Sequence, residues 1–207
     1  MKIKHRKERW VKMPNSAILD DTLPYSAKRV LGALLSRCKG NKVKITLRHL
    51  ANISGCSVPT VTVAVELLCD SGYIAKENNY AWNSNLNMVV KACNQYIVLV
   101  SVNRDFTKMP VRALTADISH AAFVVLSYIR MLAGNRDVAY PSYRKMQREL
   151  HCSISTVYAA IKQLSDAMLV NIMQCVTRFG DFACNTYQLL TKVVSPLIDT
   201  ALYTYRL

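Results

Sequence analysis

Two clusters of cationic side chains stand close ahead of two serine residues that each begin a helical sequence pattern. Cationic side chains neutralise the phosphate groups of nucleic acids. A serine at the start of a helix adds to this chemistry, because the free backbone amides and the helix dipole at that end attract anions. An ordinary charged helix surface is the alternative interpretation. The predicted phosphate contacts are Lys42, Lys44, Arg48, Ser57 and Thr60 in the first half of the chain and Arg144, Lys145, Arg148 and Ser153 in the second.

The segment after Ser153 offers a second kind of chemistry. In a helix, the apolar residues Val157, Ile161 and Leu164 share one face, and polar or small side chains project from the opposite face. Hydroxyl groups bond several base edges, and the methyl groups of threonine and alanine contact thymine, whereas a lysine here is better suited to a phosphate. A solvated helix face is the alternative. The predicted base-reading residues are Ser155, Thr156, Tyr158, Ala159 and Lys162.

Both serine-containing segments belong to an internal repeat. Residues 56–61 (CSVPTV) match residues 152–157 (CSISTV) at an offset of 96. Two further matches keep the same order, one upstream at an offset of 94 and one downstream at an offset of 91. Three matches in the same order indicate two copies of one structural unit.

Hydrophobic spacing divides each copy into the same elements. An amphipathic helix runs from Ala27 to Cys38 in the first copy and from Ala121 to Leu132 in the second, and each stops before Gly-Asn. A short helix, a tight turn and a third helix follow, which is helix-turn-helix spacing. Strand-forming sequence then predicts a hairpin, with an Asn-rich connection in the first copy. The sequence therefore predicts an α+β fold with two tandem winged helix-turn-helix domains.

The predicted boundaries are a basic N-terminal arm over 1–14, domain 1 over 15–100, a linker over 101–116, and domain 2 with a short C-terminal segment over 117–207. Arg178 lies in the predicted hairpin turn of domain 2, where it is suited to the minor groove. The arm is suited to phosphates or the minor groove through Lys2, Lys4, Arg6, Lys7 and Arg9. A disordered arm and an ordinary turn arginine are the alternatives.

The charge balance points to a polyanionic partner. The 207 residues carry a net charge of +14, and the first 50 residues contain 13 basic and 3 acidic side chains. Double-stranded DNA is therefore the leading partner, although a net charge also serves solubility. Seven cysteines without a C-x-x-C pair favour a reducing cytoplasm over a disulfide framework or a zinc site. No apolar run reaches the roughly 18 residues of a membrane span.

Catalytic chemistry has little support in the sequence. The chain has no phosphate-binding glycine loop, no G-x-S-x-G and no H-E-x-x-H, and its four histidines belong to different elements. His151 is predicted to be a turn residue beside a buried cysteine rather than a metal ligand. We therefore expect no enzyme activity, no cofactor, no metal site and no small-molecule substrate.

Two stretches of the chain resemble a known group of proteins. The sequence WVKMPN at 10–15, followed by LDD at 19–21 and SAK at 26–28, resembles the opening of helix-turn-helix modules in replication-initiation proteins of bacterial phages and plasmids. Residues 140–170 are similar to the winged helix-turn-helix consensus of those proteins and of many bacterial regulators. The resemblance implies a replication initiator of a mobile element that binds repeated origin sites.

Two other functions remain open at this point. One is a transcriptional regulator, since the same fold serves both roles. The other is a protein-interaction scaffold with weak DNA binding, which contacts a second copy or a replisome protein. This second alternative is favoured by the third helix of the first copy, which carries no lysine or arginine between Val58 and Cys69.

Overall fold

The computed structural model describes residues 8–85, 87–91, 93–101, 103–173 and 185–190. Its helices are α1 (Asn15–Leu19), α2 (Tyr25–Leu35), α3 (Leu47–Ser54), α4 (Val58–Asp70), α5 (Arg112–Thr115), α6 (His120–Ala133), α7 (Tyr143–Glu149) and α8 (Ile154–Asp166). Its strands are β1 (Trp10–Pro14), β2 (Lys42–Lys44), β3 (Ile74–Glu77), β4 (Tyr80–Asn83), β5 (Met88–Lys91), β6 (Gln95–Val98), β7 (Phe106–Pro110), β8 (Val138–Ala139), β9 (Val170–Met173) and β10 (Thr186–Leu189).

Each half of the chain forms one short helix, α1 or α5, a unit of three longer helices and a small antiparallel sheet. Module 1, from β1 to β6, contains α2, α3 and α4 with a sheet in the order β2-β6-β3. Module 2, from β7 to β10, contains α6, α7 and α8 with a sheet in the order β8-β10-β9. The predicted α+β fold with two tandem winged helix-turn-helix modules is confirmed.

Hydroxyl side chains start the helices of both helix-turn-helix motifs. Thr46 and Ser57 accept backbone N–H bonds at the starts of α3 and α4, and Ser142 and Ser153 do so at the starts of α7 and α8. Each such cap contributes about 1 kcal/mol to helix stability. The helix starts predicted at Ser57 and Ser153 are therefore confirmed.

The turn inside each motif takes the same left-handed backbone conformation. Gly55 has φ +63° in module 1, and His151, 96 residues later, has φ +50°. A side chain makes this conformation cost about 1 kcal/mol, so module 1 uses the residue that adopts it freely. His151 thus occupies the turn, as the sequence predicted.

Two helices form the centre of the molecule. The buried residues of α2 run without interruption from Ala27 to Leu34, and those of α6 run from Ala122 to Arg130. α2 packs against α6, and one hydrophobic cluster joins the apolar residues of both modules. The modules are therefore two parts of one packed body. α2 ends at Leu35, before the predicted end at Cys38.

The segment over 101–116, predicted to be a linker, is instead structured and opens module 2. It contains β7 and α5, and β7 pairs with β1 as an antiparallel ribbon. Met109 of β7 and Val11 and Met13 of β1 are buried in the core. Because β1 is a core strand, the basic arm predicted over 1–14 ends before Trp10.

The β1–β7 ribbon indicates an approximate two-fold axis between the two modules. β1 and β7 both contain Lys-Met-Pro, at 12–14 and 108–110, again at an offset of 96. Lys12 pairs with Lys108, and the register extends equally on both sides of this pair. Exchanging the two strands therefore maps the ribbon onto itself, as a two-fold rotation does. The chain is built like a symmetric dimer within a single polypeptide.

Equivalent contacts cross between the modules on both sides of this axis. The hydroxyl of Tyr25, at the start of α2, donates to the carbonyl of Leu150 in the turn of module 2 (2.8 Å). Nε2 of His120, at the start of α6, lies 3.9 Å from Sγ of Cys56 in the turn of module 1. α2 and α6 thus each contact the helix-turn-helix turn of the other module.

The hairpin of module 1 is longer than the sequence suggested. The Asn-rich connection between residues 78 and 87 contains β4, which pairs with β5 beyond the three-stranded sheet. Tyr80 and Trp82 alternate with Ala81 along β4 and are both more than 60% exposed. This extended wing therefore projects from the body. The tip of the wing of module 2, with Arg178, lies outside the described residues.

Candidate nucleic-acid interface

The third helix of module 2 presents most of its predicted base-reading side chains to solvent. Val157, Ala160, Ile161 and Leu164 of α8 are buried. Ser155, Tyr158, Ala159 and Lys162 are exposed, and Thr156 is half-buried. The helix therefore separates its core face from a continuous outer face of the size and polarity that suit a major groove.

The N-terminal end of α8 is organised around Ser153. Its Oγ accepts the backbone N–H of Thr156 (3.1 Å) and lies within 2.8 Å of the hydroxyls of Ser155 and Thr156. The amides of Ile154 and Ser155 stand in the first turn, where helix geometry provides no acceptor. An anion at this end would therefore meet these amides, because the Ser153 hydroxyl already serves as the cap.

A tyrosine pair connects α7 to the outer face of α8. The rings of Tyr143 and Tyr158 stack with centroids 4.2 Å apart and an angle of 23° between planes. Tyr158 is 54% exposed despite this contact, so its free edge is held in a fixed position. Tyr143 is not among the predicted DNA contacts. Its position on a helix that must pack against α8 was the available signal.

We expect Tyr158→Ala to change which duplex sequences are preferred, by about 10- to 100-fold at one or two base positions. The slope of affinity against salt should stay the same, because no charge is removed. Selection of bound fragments from random duplexes, for the wild type and the variant, measures this effect. Met168→Ala alters an exposed residue beyond the end of α8 and should leave the preference unchanged. An unaltered preference in Tyr158→Ala would contradict its assignment as a base reader.

The cationic residues of α7 differ in how freely they can bind a phosphate. Arg144 and Lys145 are exposed, and no carboxylate of the described residues pairs with them. Arg148 is also exposed, but its guanidinium contacts the Glu149 carboxylate at 3.1 Å. A phosphate at Arg148 must compete with this carboxylate, so Arg144 and Lys145 should contribute more to phosphate binding.

Module 1 presents different chemistry on the equivalent surfaces. Lys42, Lys44 and Arg48 are exposed, as phosphate contacts must be. Ser57 caps α4, and its hydroxyl lies 2.8 Å from that of Thr60. The exposed residues of α4 include Val58, Pro59, Val63 and Glu66, so this third helix presents an apolar surface with a carboxylate and no cation.

Part of the N-terminal charge excess is not on the surface. Lys28 and Arg29 are each only 2% exposed, and burial lowers the pKa of both groups. Nζ of Lys28 donates to the carbonyl of Ile18 (2.8 Å). Arg9 is exposed and remains available to a phosphate. The other arm residues, Lys2, Lys4, Arg6 and Lys7, lie outside the described residues.

The described part of the chain contains neither a metal-binding cluster nor a single helix that could span a membrane. No group of three or more His, Cys, Asp or Glu side chains there is placed to hold a metal ion. No single described helix has the length and apolar composition of a membrane span. α3 and α4 meet these two criteria only when they are taken together, and they are bent by 98° at the break between them.

Two helix-turn-helix motifs, each followed by a hairpin and related by an internal two-fold axis, define a tandem winged helix-turn-helix protein. Two protein families match parts of the chain: Firmicute plasmid replication protein (RepL) over residues 30–111, and a helix-turn-helix domain family over residues 116–170. No curated protein matches the chain.

A solved structure of the Pi initiator protein in complex with iteron DNA has the same fold. The similarity covers 90% of this chain and 98% of that chain, with a TM-score of 0.50 and 13% sequence identity. At this identity the likeness concerns the fold. Together with the family matches, it makes the chain a winged helix-turn-helix protein that resembles plasmid replication initiators.

Proposed function

We propose that the protein is a double-stranded DNA-binding replication initiator of a plasmid or related mobile element, which acts in the cytoplasm and binds repeats at an origin. The family match over residues 30–111 and the fold of an initiator bound to iteron DNA support this role over transcriptional regulation. The mechanism requires no enzyme activity, because binding and positioning on DNA are sufficient for it.

The observation that carries the proposal is the joint surface of α7 and α8. The stacked tyrosines fix the two helices together, with Arg144 and Lys145 exposed on α7 and the polar outer face exposed on α8. In helix-turn-helix proteins, the third helix enters the major groove while the preceding helix crosses the phosphate backbone. Module 2 presents the side chains that each position needs.

The internal two-fold axis suggests how both modules share one duplex. Two-fold dimers of helix-turn-helix proteins read half-sites about one helical turn apart. α4 and α8 are related in the same way within this single chain, so one molecule is suited to two parts of one site. Because α4 presents no cation, module 2 should read bases while Lys42, Lys44 and Arg48 of module 1 contact phosphates.

A salt titration tests the proposal directly. We expect binding to origin-repeat duplexes to fall by about 10³-fold or more between about 50 and 200 mM salt, as six or more phosphate contacts would require. Fluorescence anisotropy with labelled duplexes measures the slope, and a random-sequence duplex of equal length serves as the control. Absence of binding to any duplex at low salt would overturn the DNA-binding function.

A second candidate function is protein contact through module 1, alone or alongside DNA binding. A groove of about 370 Å³ lies between the start of α2 and α4, and no charged residue lines it. Val63, on its wall, is 56% exposed. An exposed apolar surface of this kind suits a second copy or a partner protein. Loss of duplex binding in the titration would leave this candidate as the better one.

A further inference from the structure

A basic cleft lies at the end of α2 in module 1, apart from the surface of α7 and α8. Its volume is about 380 Å³. It is lined by Arg37, two residues after α2, by three lysines and by His49 of α3. The complete lining is Arg37, Lys39, Lys42, Val43, Lys44, Ile45 and His49. Arg37 and Lys39 are not among the predicted phosphate contacts, because they belong to the loop after α2.

Backbone geometry holds the three lysines close together. Lys42 and Lys44 are exposed on the same side of β2, while Val43 between them is buried. Residues two apart on a strand are about 7 Å apart. The backbone N–H of Lys39 donates to the carbonyl of Lys42 (3.0 Å), so Lys39 lies beside Lys42 as a paired residue.

The cleft contains no group that neutralises this charge. None of its lining residues is acidic, and no carboxylate of the described chain forms an ion pair with Arg37, Lys39, Lys42 or Lys44. Like charges at such separations repel one another, more so where the protein excludes part of the solvent. An anion seated among them would relieve this repulsion.

The start of α3 adjoins the cleft, since Ile45 and His49 on either side of it line the cleft. Thr46 caps this eight-residue helix by accepting the backbone N–H of His49 (3.1 Å). The amides of Leu47 and Arg48 occupy the first turn, where the positive end of the helix dipole lies. The positive end of α3 therefore adds to the attraction of the four cations for an anion in the cleft.

We propose that the cleft binds an anion that carries several adjacent phosphates. A single carboxylate offers one charge to four cations, whereas adjacent phosphates offer several charges and many acceptor oxygens. The source is either a free polyphosphate or consecutive phosphates of a DNA strand. The second source rests on the proposed function, and the first is independent of it.

Calorimetric titration with sodium tripolyphosphate, against sodium sulfate at equal ionic strength, tests the proposal. We expect one site in the wild type and at least about tenfold weaker binding after Lys39→Gln, Lys42→Gln and Lys44→Gln together. The matched control removes three exposed cations elsewhere, at Arg104, Lys108 and Arg136, and should bind as the wild type does. Circular dichroism and Tm confirm that each variant is folded.

Equal losses in the two triple variants would show attraction by net charge alone and would overturn the proposal, as would no binding to the wild type. Duplex titrations of the cleft variant then separate the two sources. A salt slope lower by about 2 to 3 assigns the cleft to DNA phosphates, and an unchanged slope assigns it to a free polyphosphate. Tripolyphosphate binding in a protein that binds no duplex would support the cleft while the proposed function fails.

Discussion

Replacing Arg144, Lys145 and Arg148 together by glutamine is expected to weaken binding to duplexes of every sequence by about 100-fold near 0.1 M salt. Each lost phosphate contact removes about 0.9 from the slope of log affinity against log salt, so the slope should fall by about 2 to 3. The lower value is expected if Glu149 already neutralises Arg148 in the free protein. Anisotropy titrations at several salt concentrations measure both quantities.

The control for this variant must remove the same charge elsewhere. Arg104, Lys108 and Arg136 are exposed and belong to neither helix-turn-helix motif. Their joint replacement by glutamine should lower the slope by less than about 1, because long-range attraction between exposed charges is screened by salt. Similar losses in both variants would show that α7 does not cross the phosphate backbone.

Local sequence signals were sufficient to predict the modules. The repeated serine at 57 and 153 gives the start of each third helix, and the offset of 96 relates Gly55 to His151 in the turn. These features depend on neighbours within a few residues of the chain. For the same reason, the separation of α8 into a core face and an outer face followed from the spacing of its apolar residues.

Features that depend on long-range packing did not emerge from local spacing. The pairing of β1 with β7 joins five-residue strands almost 100 positions apart, and the Lys-Met-Pro in both marks them as equivalent without showing that they pair. In the sequence, Lys28 and Arg29 look like surface charges. Their burial follows from the packing of α2 against helices of both modules, which local spacing does not show. The stacking of Tyr143 on Tyr158 likewise depends on how α7 meets α8.

Arg29 is the residue whose replacement should most affect the joining of the modules. Its guanidinium, on α2 of module 1, donates to three backbone carbonyls of the segment that leads into α6: Ile118 (2.6 Å), Leu114 (2.8 Å) and Ala116 (2.9 Å). Arg29→Met would remove this donor from all three carbonyls, of which that of Ala116 also accepts the backbone N–H of Ile118. Because hydrogen bonds to a charged group contribute about 1.5 to 3 kcal/mol each, we expect the free energy of unfolding to fall by about 3 kcal/mol or more.

Lys28→Met is the matched control on the same helix. Lys28 is as buried as Arg29, but its ammonium donates to a single carbonyl and burial lowers its pKa to about 8. Since its charge is already disfavoured inside the protein, its loss should change the free energy of unfolding by less than about 1 kcal/mol. Urea denaturation measures both variants. Equal losses would indicate that only side-chain volume matters at these positions and would contradict the anchoring role of Arg29.

The same variant connects the fold to DNA binding. If Arg29 fixes the placement of module 2 against module 1, folded Arg29→Met should bind one origin repeat more weakly, because the two modules no longer reach their parts of the site together. The slope of log affinity against log salt should stay the same for each module that contacts DNA, because the variant loses no exposed cation. Weaker binding with an unchanged salt slope would show that Arg29 acts by positioning the two modules, and that it does not contribute through contacts with DNA phosphates. Unchanged affinity in the folded variant would show that the modules bind independently.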